Sequence, residues 1–235
     1  MGVWREGRGR VVALCAVLVG ACGCASSGPV TRPTSASAVT ARAPATSLAP
    51  ATTAAAGGPL AELASLPTTP TGRVPDYRRA AFGPDGWDYD PASGCNTRDR
   101  VLIAESARPP TMGARCKVLA GQWTSLYDGV SVTDPHLLQI DHLIPLADAW
   151  RSGAAGWSPD RRQRFANDLS APDTLIAVTG RTNESKGDDT PDEWLPPARS
   201  AWCTYARDWV DVKARWQLSV TGAERRALAA ILAVC

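Results

Sequence analysis

The residues best suited to chemistry lie in two short segments, each of which follows an apolar run of the chain. Asp141 and His142 come directly after the first run, and Asn183 and Lys186 come shortly after the second, 174–179. An imidazole titrates at about pH 6.5, so His142 is able to accept a proton near neutral pH. Each residue alone is more often structural, as a buried histidine, a turn or cap amide, or a solvated lysine. Their occurrence together favours a functional site.

The sequence lacks the motifs of other common classes of hydrolase. The chain has two histidines, His136 and His142, whereas a catalytic zinc normally takes three protein ligands. The sequence contains neither a G-x-S-x-G serine motif nor a GxxxxGK[ST] phosphate loop. A zinc-dependent cell-wall hydrolase, which only the export signal described below would suggest, is therefore disfavoured.

Two predicted strands position the candidate residues. The run 137–140 predicts a strand that leads straight into Asp141, and 174–179 predicts a second strand followed by a helix or turn. Adjacent residues of a strand point to opposite faces of a sheet. Asp141 and His142 can therefore serve one site only if the strand ends there, and Pro145 favours such a turn.

Further helices and a hairpin are predicted around these strands. They are a strand or helix start at 101–104, a hairpin within 121–132, helices over 146–151 and 161–169, and two helices after Pro197.

The first of the two C-terminal helices carries an aromatic stripe. Its members are spaced 3, 4, 3 and 4 residues apart: Trp202, Tyr205, Trp209, Val212 and Trp216. This spacing is that of one helix face, and it favours a buried core face over a surface on which bases stack. Thr221 and Glu224 predict a capping box at the start of the last helix.

Composition and charge narrow the class of protein. The chain of 235 residues has 25 basic and 23 acidic side chains, a formal charge of +2. This balance excludes a strongly basic protein that coats nucleic acid through many phosphate contacts, and it excludes an acidic disordered tail. The length allows one or two domains, and a hydrophobic content of 44% is enough to build a core.

The N-terminus has the pattern of an export signal. Three arginines precede the apolar run Val11–Ala21, which is too short to span a bilayer and predicts a signal peptide over residues 1–24. The run ends in a sequence that resembles a bacterial lipobox, with Cys22 as the residue that would be lipidated and Cys24 as a second candidate. We expect an exported protein that is lipid-anchored at the outer face of the bacterial cell membrane, with plain secretion as the alternative.

Residues 25–75 are predicted to form a disordered linker. The stretch from Gly28 to Pro59 consists largely of Ala, Thr, Ser and Pro and has no helical or strand period. As a flexible coil, the linker would span ~40 Å, enough to lift a domain off a membrane surface. The folded domain is expected over residues 76–235.

Four cysteines remain in that domain: Cys95, Cys116, Cys203 and Cys235. An even number in an exported domain predicts two disulfides, for which three pairings exist. Cys95–Cys116 and Cys203–Cys235 are favoured because each closes a short loop, worth ~3 kcal/mol in the chain-entropy model. A metal site is disfavoured because no C-x2-C spacing occurs among the four.

Several segments together resemble a known family. They are DHLIPLADAW, FANDL, LIAVTGRTNESKGD and WLPP, with a CNTR segment upstream. Residues 75–235 are similar in these motifs to HNH endonucleases related to the C-terminal domain of GmrSD-type restriction endonucleases, in a secreted actinobacterial branch.

The resemblance implies an α+β fold with a ββα-metal (HNH-type) nuclease core, additional helices and disulfide staples. It implies that His142 is the general base and that Asp141 and Asn183 are metal ligands, with Lys186 near a substrate phosphate. The expected cofactor is one divalent cation, Mg²⁺ first and Mn²⁺ as an alternative. The expected partners are a nucleic acid substrate, DNA first, and the membrane through the N-terminal lipid; no protein partner is implied.

One position departs from the family pattern. Many members carry an Asn just before the second strand, whose amide ties the loop of the ribbon together, and Thr174 stands there in this chain. A hydroxyl replaces only part of an amide's hydrogen bonding, so Asn167 is considered as a substitute. The departure motivates an alternative, a catalytically weak or inactive surface lipoprotein that uses the same fold for binding.

Overall fold

The computed structural model describes residues 57–70, 74, 76–84 and 86–235. The predicted signal peptide, the lipobox cysteine Cys22 and most of the predicted linker lie outside the described residues. Among the helices that the structure describes, none has both the length and the apolar character needed to cross a membrane.

Helices and short two-stranded ribbons make up the fold. The helices of the described region are α1 (Gly58–Ser65), α2 (Thr97–Glu105), α3 (Leu146–Arg151), α4 (Pro159–Ala166), α5 (Gly180–Lys186), α6 (Trp202–Trp216) and α7 (Gly222–Leu232). The antiparallel ribbons are β1 (Tyr89–Asp90) with β2 (Cys95–Asn96), β3 (Thr111–Met112) with β4 (Val118–Ala120), β5 (Trp123–Thr124) with β6 (Ser131–Val132), and β7 (Leu138–His142) with β8 (Leu175–Thr179). The predicted α+β class is confirmed.

The ribbon of β7 and β8 lies at the centre of the described structure. Its register pairs Leu138 with Thr179 and His142 with Leu175, and α5 begins directly after β8. The apolar run that predicted β8 is buried along most of its length because both faces of the ribbon are covered. Alternate residues of β8 enter two separate cores, with Leu175 in one and Ile176 in the other.

The C-terminal helices form one wall of the larger core. Tyr205, Trp209 and Val212 are fully buried, so the aromatic stripe of α6 is a packing face, as its spacing predicts. At the start of α7, Thr221 and Glu224 form the predicted capping box. The indole of Trp209 donates a hydrogen bond to Glu224 at 2.6 Å, which joins the two helices in the core.

Two disulfides are formed, and both predicted pairings are confirmed. Cys95 bonds to Cys116, and Cys203 near the start of α6 bonds to Cys235 beyond the end of α7. The second bond links the first turn of α6 to the segment that follows α7.

The folded region begins before residue 76, where the linker was expected to end. Helix α1 packs against α6 and α7 and buries Leu63, and Leu66 behind it is buried as well. The guanidinium of Arg225 donates to the carbonyl oxygen of Leu66 at 2.6 Å and to that of Leu63. The apolar period of α1 is short and is surrounded by Ala, Thr and Pro. The sequence pattern therefore does not distinguish this helix from the predicted linker.

Candidate active site

His142 ends β7 with its imidazole packed between the indole of Trp87 and the end of α4. The two rings are stacked, with centroids 5.4 Å apart and an interplanar angle of 16°. Nε2 of His142 lies 2.9 Å from the carbonyl oxygen of Ala166. A carbonyl oxygen only accepts hydrogen bonds, so Nε2 carries the proton and Nδ1 keeps the lone pair. This is the tautomer in which Nδ1 acts as a base.

The imidazole is strongly desolvated. His142 is only 5% exposed, and burial lowers its pKa from 6.5 to about 3. The hydrogen bond to Ala166 opposes this shift, whereas the positive charges of Arg79 and Lys186 add to it. The side chain is therefore neutral through the physiological pH range, and it is a weaker base than the free imidazole on which the sequence-based expectation rests.

A small cavity opens beside the imidazole. Its volume is about 60 Å³, and its walls are Arg79, Phe82, Gly83, Gly86, Trp87, His142, Leu146 and Ala166. Five of these residues belong to the segment that precedes β1. Gly83 and Gly86 have φ of 127° and 81°, a region that side chains other than hydrogen rarely allow, so both glycines let this segment bend around the ring.

Asp141 and His142 are the last two residues of β7, so the strand ends where a shared site requires it, but the two side chains enter different environments, as adjacent strand residues must. One oxygen, Oδ2, accepts a hydrogen bond from the hydroxyl of Tyr127 at 2.5 Å and lies 2.8 Å from the ammonium of Lys186. Tyr127, which precedes the predicted turn of the β5–β6 hairpin, is a partner that no sequence pattern indicated. Burial raises the pKa of this phenol far above 10, and the neighbouring carboxylate adds to the effect.

Lys186 occupies a structural position instead of the expected phosphate contact. Its side chain is 0% exposed, and its ammonium also donates to the backbone carbonyl oxygen of His142 at 3.1 Å. A fully buried ammonium with these partners has no surface left for a substrate. Lys186 therefore fixes the side chain of Asp141 and the backbone of His142 relative to α5.

Asn183 lies one helical turn before Lys186 on the face of α5 that meets β7. Its amide nitrogen donates to Oε1 of Gln139 at 2.6 Å, and the amide of Gln139 in turn donates to Glu184 at 3.0 Å. Gln139 and Asp141 share one face of β7, since they are two residues apart. The structure thus brings Asn183 and Asp141 to the same side of the ribbon. Their side chains bind different residues, Gln139 in the case of Asn183 and Tyr127 and Lys186 in the case of Asp141.

The oxygen atoms on this side of the ribbon suit a hard cation. Asp141 uses Oδ2 for Tyr127 and Lys186, which leaves Oδ1, and Asn183 contributes an amide oxygen. Over the described residues, no group of three His, Cys, Asp or Glu side chains gathers here; the one such group lies elsewhere, at Asp173, Asp208 and Asp211. Mg²⁺ keeps several waters and needs few protein ligands, so the chemistry of a carboxylate and an amide oxygen is compatible with it.

Thr174 joins the loop before β8 to the rest of the site. Its hydroxyl donates to Oδ2 of Asp168 at 3.0 Å and accepts from Arg215 at 3.0 Å, while its carbonyl oxygen accepts from the backbone of Leu143 at 3.1 Å. Asp168, which the sequence analysis did not single out, also accepts from the indole of Trp216 at 2.9 Å. Burial acts to raise the pKa of Asp168, but hydrogen bonds from Ser170, and smaller effects of those from Trp216 and Thr174, lower it below its ordinary value.

Asn167 holds a different segment from the one expected. Its side-chain oxygen accepts from the backbone of Asp88 at 2.9 Å and from the hydroxyl of Thr97 at 2.8 Å. Its amide donates to the carbonyl oxygen of Gln163 within α4. Asn167 thereby secures the residue that follows Trp87, so its effect on His142 passes through the stacked indole and not through the loop of the ribbon.

The site thus combines a two-stranded ribbon, a helix that follows it directly, and a buried neutral histidine at the end of the first strand. The family model for "GmrSD restriction endonucleases, C-terminal domain" matches residues 99–231. The chain belongs to this family, which supports a nuclease-like function and, in general terms, a nucleic acid substrate.

One relative comes from Arthroderma benhamiae. It is 44% identical over 174 residues, which are 74% of this chain and 82% of the relative, and its description is "Uncharacterized secreted protein". The description supports the predicted export of the chain. No solved structure matches the chain.

Proposed function

We propose that this protein is an exported, divalent-metal-dependent endonuclease of the HNH type, which hydrolyses phosphodiester bonds of nucleic acid, DNA first. One observation carries the proposal: Nε2 of His142 is bound to the carbonyl oxygen of Ala166 and leaves Nδ1 as a base. The order of β7, β8 and α5 around this histidine is the order expected of a ββα-metal core. Family membership supplies the nuclease context.

In the proposed mechanism, Nδ1 of His142 takes a proton from the water that attacks phosphorus, the bond from phosphorus to the leaving oxygen breaks, and the leaving oxygen takes a proton from solvent water. Trp87 and Ala166 fix the plane of the ring, so that the base needs no reorientation when substrate arrives. A positioned general base typically accelerates such a step by ~10²–10⁴-fold. Asp141 and Asn183 would hold the cation, and a bound divalent ion would neutralise charge that develops on the phosphate and leaving oxygens.

Tyr127 and Lys186 position Asp141 in this proposal. Both bind the same carboxylate oxygen, so the second oxygen faces away from them in a fixed orientation. The ammonium also offsets part of the carboxylate charge. We therefore expect a weakly held cation that a chelator removes readily, because a single charged ligand binds Mg²⁺ loosely.

Cleavage of supercoiled plasmid in Mg²⁺ or Mn²⁺ tests the proposal. We expect His142→Ala to reduce nicking by at least ~10²-fold, because the base is lost. His136→Ala is the matched control: this exposed histidine is bound to Asp134 and should keep its activity. Circular dichroism shows whether His142→Ala is folded.

Two results would contradict the proposal. Cleavage that persists in EDTA would argue against the metal, and loss of activity in His136→Ala but not in His142→Ala would overturn the assignment of the base.

Binding of DNA without any cleavage would favour the second candidate function, binding by a closed site. The cover of Trp87 over His142 and the occupation of Asp141 by Lys186 are the observations that motivate this candidate.

We also propose that Cys22 anchors the protein through a lipid. The lipobox-like sequence supports this proposal, and secretion without a lipid is the alternative. Labelling of cells with radioactive palmitate tests it: the wild-type protein should carry label and Cys22→Ser should not.

A further inference from the structure

The segment before β1 builds one wall of the candidate site and lies outside the residues that match the family model. We call residues 79–84 and 86–88 the N-terminal wall. The match begins at residue 99, so the family model says nothing of this wall. Five of the residues around the His142 cavity nevertheless come from it.

The N-terminal wall is anchored to α4 at both ends. Near its start, the guanidinium of Arg162 donates to the carbonyl oxygen of Ala81 at 2.9 Å, and Phe82 is 2% exposed with its ring 6.2 Å from that of Phe165. At its end, the side chain of Gln163 donates to that of Asp88 at 2.7 Å. The wall is therefore part of the fold, and its backbone is held in place beside His142.

Arg79 is the cation that this wall presents to the cavity. Its side chain is exposed and lines the cavity together with Trp87 and His142. Among the described residues, no hydrogen bond or ion pair occupies its guanidinium. Other arginines near the site are committed to the fold: Arg162 binds backbone carbonyl oxygens, and Arg215 binds Asp173.

The chemistry of a guanidinium that lies beside a candidate base, and that pairs with none of the residues that the structure describes, points to one ligand group. A guanidinium binds phosphate oxygens through two parallel hydrogen bonds and keeps its charge at all relevant pH values. Lys186, which the sequence suggested for this role, is fully buried and paired with Asp141. The cavity of about 60 Å³ is far smaller than pockets that enclose small organic ligands, which hold ~300 Å³ or more, so it admits a phosphate edge and not a base.

We infer that Arg79 is the residue that binds the substrate phosphate next to His142, and that the N-terminal wall completes the active site of the family domain. The inference rests on the proposed function and deepens it. Contacts to phosphate carry no sequence information, so an active site that recognises its substrate in this way cleaves without strong sequence preference.

Adjacent arginines provide a matched pair of variants for the test. Arg78 and Arg79 are both exposed, but only Arg79 lines the cavity. We expect Arg79→Gln to lower kcat/KM for plasmid cleavage by on the order of a hundredfold, because a charged donor to the reacting phosphate is lost. Arg79→Lys should fall in between, and Arg78→Gln should match the wild-type protein. The melting temperatures of all three should stay unchanged.

A binding measurement separates this inference from the proposed function. Every protein in this measurement carries His142→Ala, so that no DNA is cleaved. Each protein is titrated against a fluorescent DNA duplex in EDTA at several salt concentrations. Adding Arg79→Gln should weaken binding and reduce the magnitude of the slope of log K against log salt by about 1, while adding Arg78→Gln should not. Equal effects of the two substitutions would overturn the inference even if the wild-type protein cleaves DNA. Unequal effects would support it even if cleavage is never seen.

Discussion

Asp141 is a buried carboxylate that binds two neighbouring side chains. Its oxygen Oδ2 lies 2.5 Å from the hydroxyl of Tyr127 and 2.8 Å from the ammonium of Lys186. The ammonium is itself 0% exposed, so each charge is the main reason that the other can be buried. Removal of one partner from such a pair typically costs about 3–5 kcal/mol, because an uncompensated charge remains in the interior.

This pairing predicts the effect of Lys186→Met. We expect the free energy of unfolding to fall by about 3–5 kcal/mol, as measured by chemical denaturation. The double variant Asp141→Asn with Lys186→Met should recover part of that loss, because neither charge is then left unpaired. A stable Lys186→Met protein with weakened DNA binding would instead support the phosphate contact that the sequence suggested.

At the scale of secondary-structure elements, local patterns predicted β7, β8, α3, α6 and α7. The apolar run 174–179 has the length and residue types of a buried strand, and Thr221 with Glu224 marks a helix start through its own side chains. These signals are local in the chain. The sequence left 101–104 open as a strand or a helix start, and it placed Gly58–Ser65 in the predicted linker. Both segments are helical in the structure, because their short apolar periods become decisive only when they pack against other elements.

In the candidate site, too, the features that local patterns carry were predictable and those that depend on distant contacts were not. The sequence placed Asp141, His142, Asn183 and Lys186 near one another through two strands and the turn after them, and the structure brings these elements together. It could not reveal that Lys186 is buried or that Trp87 covers the imidazole. Both facts depend on contacts between segments that are far apart in the chain, and a strand pattern carries no information about them.

Helix α2 protects the outer edge of β8 through its last residue. Both carboxylate oxygens of Glu105 accept from the backbone N–H of Ala177, at 3.0 and 3.2 Å. Burial raises the pKa of Glu105 from 4.5 to about 7, against the effect of this hydrogen bond. The carboxyl group therefore binds its proton more tightly in the folded protein than in the unfolded chain.

The sign of the resulting pH dependence follows from that difference. Below about pH 4.5 the carboxyl group is protonated in both states, and the stability that the tighter protonation gives the folded state is fully present. This stability is lost as the pH rises from about 4.5 to about 7. We expect Glu105→Gln, which is neutral throughout, to unfold at a higher temperature than the wild-type protein at pH 8. The difference should correspond to about 1–3 kcal/mol and should vanish at pH 4. A difference that is the same at both pH values would show that Glu105 acts through packing.

At the scale of the whole molecule, the disulfides agree with export. Cys95–Cys116 and Cys203–Cys235 persist only in an oxidising compartment, and the similar protein from Arthroderma benhamiae is described as secreted. The second bond and helix α1 both fasten the pair of α6 and α7, which form a wall of the larger core. The N- and C-terminal parts of the folded region thus stabilise the same helices.

The net charge of the folded region limits how it can hold nucleic acid. Residues 60–235 contain 20 basic and 22 acidic side chains, a difference of −2. Several of the arginines among them bind backbone carbonyl oxygens or carboxylates, as Arg98, Arg162 and Arg225 do. The folded region therefore lacks the excess of positive charge needed to bind DNA over a broad surface, and phosphate contacts should be few and close to His142.

This charge distribution predicts a shallow dependence of DNA binding on salt. Each neutralised phosphate contributes about 0.9 to the slope of log K against log salt, so one or two contacts give a slope of about −1 to −2. Fluorescence anisotropy of His142→Ala with a DNA duplex in EDTA measures this slope. The titration is repeated at NaCl concentrations from roughly 50 to 200 mM. A slope steeper than about −5 would mean that at least five phosphates are contacted. A basic surface well beyond Arg79 would then have to take part in binding, and weak, local recognition of the phosphodiester would be the wrong description of this protein.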